Sequence, residues 1–272
     1  MKHKEAQPST IKHDQAQVAV TISAIVITRN EEEHIGACLE SLSWADELVV
    51  LDSLSADRTV EMARSVTPNV HQRPFDTFPR QRNAALDLAT GQWAFFLDAD
   101  ERATPELGRE VRAVIETGSH SGYWVPRCNL ILGKWMRHTG WWPDYQLKLF
   151  RCDSGRFDER KLIHEVPVVE GTCGRLENPI THYNYRRMGE IFSRQDFYST
   201  FEAEALFRRG VRARPRNFVL QPYREFVRRY ITWEGYRDGF HGLFLSLVMA
   251  WYNLVTYKKL ARLGRGSGVR TG

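Results

Sequence analysis

Short apolar runs alternate with amphipathic stretches over residues 21–117. Ser23-Ala24-Ile25-Val26-Ile27-Thr28 and Glu47-Leu48-Val49-Val50-Leu51-Asp52 are apolar almost throughout, as strands covered on both faces are. A third run, Gln92-Trp93-Ala94-Phe95-Phe96-Leu97, closes on Asp98-Ala99-Asp100-Glu101. After the first strand, Asn30 is placed to N-cap a helix, with Glu33 at the capping-box position and Ile35, Cys38, Leu39 and Leu42 at helical spacing. Further helices are predicted from Ser55 to about Val66 and from Gln81 to Ala89, where Gly91 follows as a stop, with a short extended piece at Asn69–His71. Thr104 caps the next helix with Pro105 in its first turn, and Leu107, Val111, Val114 and Ile115 form its apolar face. This alternation predicts an α/β fold, a mostly parallel, doubly wound sheet flanked by helices.

After Gly122 the pattern changes to strand-like pieces separated by turns, at Tyr123–Leu132, Tyr145–Phe150 and Val166–Glu170, which read as mixed β structure added to the sheet. Met188 to Gly210 is helical in pattern. Gly239 to Tyr257 then runs nineteen residues without Lys, Arg, Asp or Glu. As a helix it is about 28 Å long, near the ~30 Å of a bilayer core. Phe240, Phe244, Leu247, Trp251 and Leu254 share one stripe; Gly242, Ser246, Met249, Asn253 and Thr256 share another. One apolar stripe flanked by Arg and Lys predicts a helix lying in a membrane interface rather than spanning it, against the alternative of a helix packed on the protein's own core.

Charge sharpens that expectation. The net charge is +5, yet residues 186–272 hold 17 Lys and Arg against 7 Asp and Glu, and residues 1–185 hold 21 against 26. Arg208, Arg209, Arg212, Arg214 and Arg216 crowd nine positions. A basic tail of this kind meets an anionic surface, lipid or nucleic acid. The four cysteines, Cys38, Cys128, Cys152 and Cys173, are widely spaced and form no CxxC, so reduced thiols are expected. Residues 1–20 are polar, with no apolar core of a signal peptide, and are expected to be disordered. The organisation is thus a 21–185 unit whose texture changes near 117, and a basic helical extension over 186–272. The expected location is cytoplasmic, peripheral on the inner face of the membrane.

In a parallel sheet the ends Thr28-Arg29-Asn30-Glu31-Glu32, Asp52-Ser53 and Asp98-Ala99-Asp100 fall on one edge, where open α/β sheets bind ligands. Asp98 and Asp100 offer hard oxygen ligands for Mg²⁺ or Mn²⁺ carrying a diphosphate, although Asp also serves simply as a turn residue. Asp52 can accept from a base imide or ribose hydroxyl, the backbone at Thr28 can pair with a base, and Arg82 or Asn83 can face a pyrophosphate. Neither GxGxxG nor GxxxxGK[ST] is present.

The blocks Thr28–Glu32, Val49-Val50-Leu51-Asp52-Ser53-x-Ser55-x-Asp57-x-Thr59, Gln81-Arg82-Asn83-Ala84-Ala85 and Phe96–Glu101 together resemble family 2 glycosyltransferases of the GT-A (Rossmann-like) fold. Leu147–Arg151, Gly155-Arg156-Phe157, His164-Glu165, Gly174-Arg175-Leu176, His182-Tyr183 and Gly239–Leu243 look more narrowly like the bacterial lipopolysaccharide inner-core β-glucosyltransferases. At Lys148 that subgroup tends to carry Arg; here the charge is kept and the bidentate fork is lost. The resemblance implies inverting transfer from a nucleotide-diphospho-sugar, UDP-glucose, to a lipid-linked glycan, with residues 21–185 as the catalytic domain, 21–117 as its nucleotide-sugar half and 118–185 as its acceptor half. It assigns donor binding to Thr28, Arg29, Asn30, Glu32, Asp52, Ser53, Arg82 and Asp98, the cation to Asp98 and Asp100, and the general base to Glu165. Asp144 and Asp158 are alternative bases. His164 and His182 are candidate metal ligands or pyrophosphate donors, although a lone His is more often structural. Trp135, Trp141 and Trp142 can stack on a sugar or fill a core.

Three other readings are distinguishable. A polyprenyl-phosphate acceptor is already ionised and makes the rate insensitive to Glu165→Gln. A nucleotidyltransferase would carry a Gly-rich loop after the first strand, and Thr28-Arg29-Asn30 is not one. A nucleic-acid-binding protein would use the Arg-rich segment, but no recognisable module accompanies it and no nucleic acid partner is expected.

Overall fold

The computed structural model describes residues 19–160 and 166–266. The expected disordered segment falls mostly, and His164 and Glu165 fall entirely, outside the described residues. Residues 21–117 contain β1 (Ile22–Thr28), α1 (Ile35–Glu40), β2 (Glu47–Asp52), α2 (Thr59–Val66), β3 (Val70–Gln72), α3 (Phe78–Leu86), β4 (Trp93–Asp98), β5 (Glu101–Ala103) and α4 (Pro105–Thr117). The second half adds β6 (Gly122–Ile131), β7 (Lys134–Trp135), β8 (Asp144–Arg151), β9 (Gly155–Phe157), β10 (Pro167–Val169), β11 (Cys173–Arg175) and β12 (Ile180–Tyr185).

The main sheet runs β3-β2-β1-β4-β8-β6-β12-β5. Its first four strands are parallel, β8 is antiparallel to both β4 and β6, and β12 returns parallel to β6. Because the chain leaves β1 towards β2 and later comes back to β1's other side as β4, the crevice between the ends of β1 and β4 is a topological switch point. The two faces of β1 explain its unbroken apolar run. Ile22, Ala24 and Val26 join α1, α2 and α4 in one core, whereas Ile25 packs with α3, Phe96 and Phe150 in another.

Two helix starts differ from the sequence expectation. Asn30 does not cap α1: it sits at φ 54°, and its side-chain oxygen instead accepts from Ala56 N at 2.8 Å. The cap position is His34, which makes no side-chain cap bond, and Glu33 pairs with Arg186. Asn tolerates left-handed backbone better than most residues, and here that property turns the chain at the sheet edge. The second helix starts four residues late because Ser55 is held by the Asp52 carboxylate, while Asp57 takes the amide of Thr59 at 3.0 Å. The third begins earlier than expected, at Phe78, where Thr77 caps it and Pro79 occupies its first turn. Thr104 caps α4 as expected, accepting from Leu107 N at 3.1 Å. The four cysteines are all free thiols.

The extension consists of α5 (Met188–Arg208), α6 (Asn217–Val227) and α7 (Gly239–Gly266). By length and composition α7 belongs to a helix able to cross a membrane. It packs against both other helices and, through Leu245 and Val248, against Ile131, Met136 and Tyr185 of the sheet domain. The small and polar stripe turns inward at Gly242, Ser246 and Thr256. Gly242 is required there, since a β-carbon would overlap the Gly235 carbonyl. Phe240, Leu247 and Trp251 of the apolar stripe point outward, with 77%, 54% and 54% of their surface exposed. Phe244 of that stripe instead packs partly against the sheet domain.

The extension is stitched to the 137–140 loop by hydrogen bonds. Buried Asp238 accepts from His138 N at 2.9 Å and lies 3.0 Å from its Nδ1, and Arg229 donates to Thr139 O at 2.8 Å.

Candidate active site

The register places Thr28 opposite Asp52 and Ile27 opposite Asp98, so the three polar strand ends stand side by side at the switch point. Asp52 is fully buried and its carboxylate is already engaged. It accepts from Ser55 N at 2.8 Å, from the Ser55 hydroxyl and from Gln72 Nε2 at 3.0 Å. Its visible work is to fix the loop that carries Ser53. Ser53 Oγ in turn accepts from Gln81 Nε2 at 3.0 Å. Among the described residues, Thr28 Oγ1 and Gln81 Oε1 are buried with no hydrogen-bond partner. Such orphans are rare in folded proteins, and at this edge they are open to pairing with a ligand or with water. Arg29 is exposed at the same edge. Glu32 has a structural job, accepting from Arg58 N at 3.0 Å and so capping the start of α2.

Asp98, expected as both donor and metal ligand, has a cation against each oxygen. Arg82 reaches Oδ1 at 3.0 Å and Lys148 reaches Oδ2 at 2.7 Å. Burial alone would raise this carboxyl, but Lys148 and Arg82 outweigh it and hold it well below the ordinary carboxylate range. Lys148 also pairs with fully buried Glu101 at 2.8 Å, and Glu101 receives Arg127 at 3.3 Å on its other oxygen. Asp98 is therefore a member of a compensated ionic cluster, and the free carboxylate of the motif is Asp100.

Asp100 Oδ2 lies 3.3 Å from His182 Nε2. Antiparallel pairing of β5 with β12 makes this meeting, reinforced by Tyr183 N donating to Asp100 O at 2.9 Å. The His182 tautomer follows from its neighbours. Asn129 Nδ2 donates to Asp144 Oδ2 at 3.0 Å, which turns Asn129 Oδ1 towards His182 Nδ1 at 2.7 Å. Nδ1 therefore carries a proton, and Nε2 is left facing the Asp100 carboxylate. Burial pushes the Asp100 carboxyl up, but hydrogen bonding and charge from His182 bring it below its usual value. Among the described residues no group of three or more His, Cys, Asp or Glu is arranged around a metal position. One carboxylate and one imidazole still suit Mg²⁺ or Mn²⁺ whose remaining positions are filled by substrate phosphates and water.

The alternative bases fare differently. Asp144 is held by Arg127 at 2.7 Å, Asn129 at 3.0 Å and Gln146 at 2.7 Å. Burial would raise its carboxyl, but Arg127 leads the groups that lower it, which makes it a weak proton acceptor. Asp158 pairs with exposed Arg160 at 2.9 Å. Trp141 packs partly into the extension's core, while Trp135 and Trp142 meet edge to face at 5.3 Å and are half-buried.

Sequence reasoning missed Glu31. Burial first, then the charges of Asp100 and Asp57, push its carboxyl up to about 7, against the opposing pull of Arg194. An acid raised in the fold keeps a proton that the unfolded chain has lost, so unfolding releases a proton between pH 4.5 and 7 and stability declines as pH rises through that window. The expected result is that Glu31→Gln, which cannot titrate, gains melting temperature relative to the parent as pH goes from 5 to 7, with no further gain above 7. Parallel thermal melts of metal-free protein measure it, and a constant difference would remove Glu31 as the titrating group. Arg127 and Asn129 were also missed, because their role exists only through contacts with distant acids.

A model of glycosyl transferase family 2 matches residues 23–165, more than half of the chain. The lipopolysaccharide core biosynthesis glycosyltransferase LpsC of Rhizobium meliloti is 29% identical over 252 residues, covering 88% of this chain and 91% of LpsC. An uncharacterized glycosyltransferase of Rickettsia bellii is 24% identical, covering 89% and 86%. Among solved structures, S. aureus TarS 1–349 in complex with UDP-GlcNAc aligns over 91% of this chain and 92% of its own, at 15% identity and a TM-score of 0.45. The expected family and the observed sheet, with its acid-ended strands gathered at one switch point, thus agree with a match over most of the catalytic unit: the chain belongs to glycosyl transferase family 2 and is a glycosyltransferase.

Proposed function

We propose that this enzyme transfers a sugar, with inversion, from a nucleotide-diphospho-sugar to a lipid-linked glycan of the lipopolysaccharide-core type, using a divalent cation at Asp100 and His182. The observation that carries the reading is the 3.3 Å approach of Asp100 Oδ2 to His182 Nε2 beside the switch point. When bound, Mg²⁺ or Mn²⁺ supplies stabilisation of the charge that develops on the departing diphosphate. Thr28 Oγ1 and Gln81 Oε1 offer the unpaired groups for a nucleobase edge. Asp52 acts through the Ser53–Ser55 loop that it fixes. The acceptor hydroxyl oxygen attacks the anomeric carbon and its proton passes to Glu165. The bond to the diphosphate oxygen breaks as the new one forms, and the electron pair leaves on the diphosphate. The role of Glu165 rests on the family resemblance, and the bound state of Asp144 supports it by elimination. UDP-glucose is the donor implied by the resemblance. The glycan acceptor is supported by LpsC, a core biosynthesis enzyme similar over nearly the whole chain.

An amphipathic acceptor is met at a membrane surface, and we place the enzyme on the inner face of the cytoplasmic membrane. The outward row Phe240, Leu247 and Trp251 supports this, with Lys258 stacked 5.3 Å from the Trp251 ring centroid. So does the charge of the extension: among the described residues, Arg209, Arg212, Arg214, Arg216 and Arg224 take part in none of the ion pairs. An outward apolar row on a basic extension is the form of an in-plane helix on anionic lipid.

The test is a screen of nucleotide-sugars for hydrolysis with Mn²⁺, with Mg²⁺ and with EDTA, run beside flotation on vesicles of phosphatidylcholine and phosphatidylglycerol. The expected result is turnover of one donor only with metal, and flotation that needs the anionic lipid and weakens with salt. Absence of turnover with every donor in both metals would refute the catalytic reading. Flotation on neutral vesicles alone, or on none, would refute the membrane reading.

A further inference from the structure

Beside Asp100 the chain forms a cleft of about 350 Å³ lined by charges of both signs. Glu31, Asp57 and Asp100 reach it from the sheet edge and its loops, and Arg186, Arg187 and Arg194 reach it from the start of α5, where Glu190 accepts from the Arg186 and Arg187 amides. Arg186 is engaged by Glu33 at 2.5 Å. Arg187 and Arg194 take part in none of the ion pairs among the described residues, and both are exposed. Arg194 is seven positions after Arg187, two turns along α5, so the two lie on the same face of that helix. Its guanidinium rests 5.5 Å from the Tyr185 ring centroid, which aims it back towards the sheet edge. Its charge is felt by both Glu31 and Asp100 across the cleft.

An exposed arginine is ordinarily only a solvated charge, and two facts separate this pair from that case. A free anion would be repelled by the carboxylates, and a lone cation by the guanidinium groups. A cation-bound diphosphate would suit both, with the carboxylate to hold the cation and the guanidinium fork to take phosphate oxygens. Further, α5 lies outside the matched residues 23–165, so the family match says nothing of these side chains. We propose that Arg194, assisted by Arg187, binds the donor's diphosphate from the side opposite Asp100, so that the leaving group departs between a metal ion and a guanidinium supplied by the extension. This rests on the nucleotide-sugar reading above. It makes the extension part of the catalytic centre as well as a means of attachment, and it makes Arg194 a catalytic residue.

The experiment compares UDP with UMP, which share base and ribose and differ by the second phosphate. Titration calorimetry with Mn²⁺ on the full chain gives the ratio of the two dissociation constants for the parent, Arg194→Ala, Arg194→Lys and Arg187→Ala. The expected result is a parent that prefers UDP, and an Arg194→Ala variant in which that preference falls about tenfold while UMP affinity is kept. Arg194→Lys should recover part of it, Arg187→Ala should lose less, and kcat for donor turnover should fall with the same ranking. An unchanged ratio in Arg194→Ala, or an equal loss for UDP and UMP, overturns the inference. A parent that binds none of UDP, GDP, ADP or CDP with Mn²⁺ overturns the nucleotide-sugar reading itself, and with it this one. That outcome is recognisable because it appears before any substitution is made.

Discussion

Asp100→Ala should remove metal-dependent turnover, with kcat falling by about 10³-fold or more, while the protein stays folded. Loss of one preorganised partner of a developing oxyanion costs about 10²–10³ in other enzymes, and here the side chain removed carries the metal as well. The fold should tolerate the change. Among the described residues Asp100 contributes no buried ion pair beyond His182, and its removal relieves the pressure on the Glu31 carboxyl. The measurement is kcat at saturating Mn²⁺ together with a Mn²⁺ titration of the melting temperature. Parent protein should be stabilised by Mn²⁺, and the variant should not respond. Full activity in Asp100→Ala would move the cation elsewhere. Asp98→Asn is the informative partner, because Asp98 sits between Arg82 and Lys148 and should act on the ionic cluster more than on metal affinity.

The largest stability effect is expected at Lys148. This side chain is 5% exposed and is shared by Asp98 and by fully buried Glu101. Lys148→Met keeps the stem and deletes the charge, which leaves two carboxylates facing each other with only Arg82 and Arg127 to compensate. Breaking a buried ion pair from one side costs about 3–5 kcal/mol, because the remaining charge has lost its partner but not its burial. In a chain of this size that lowers the melting temperature by roughly 10 °C. Lys148→Arg should recover most of the loss, since it restores the charge and brings a fork to two acceptors. Thermal melts of the three proteins decide it. A Lys148→Met variant as stable as the parent would mean that the cluster contributes nothing to the fold. The same cluster explains why Asp98 does not stand ready for a metal ion: a carboxylate between two cations has little left to offer a third.

Much of the donor half is legible in the chain. The apolar runs at 23–28, 47–52 and 92–97 became β1, β2 and β4 with their ends within a residue or two, because a strand covered on both faces leaves a local signature. Thr104-Pro105 marked the start of α4 for the same reason, since a cap acts over three or four residues. Asn30 misled because its preference for turns and its preference for caps look alike until the loop is built. Of the apolar stripe expected on α7, Phe240, Leu247 and Trp251 stay outward while Phe244 packs partly inward, because α5, α6 and the sheet decide which face is covered.

What the sequence determined by itself was therefore the alternation of the main strands and helices through α4, the acids at the strand ends, the family, and the excess of charge in the tail. The tertiary structure alone decided how those charges are spent. Asp100 and His182 are 82 positions apart and meet only because β12 slots between β6 and β5. Lys148 reaches Asp98 across 50 positions because β8 lies against β4. Arg194 comes to the same cleft on a helix that follows the last strand. Periodicity and capping are local and are written in neighbouring residues. The partner of a charge is set by strand order and by the field of everything packed around it, and no stretch of sequence carries that on its own.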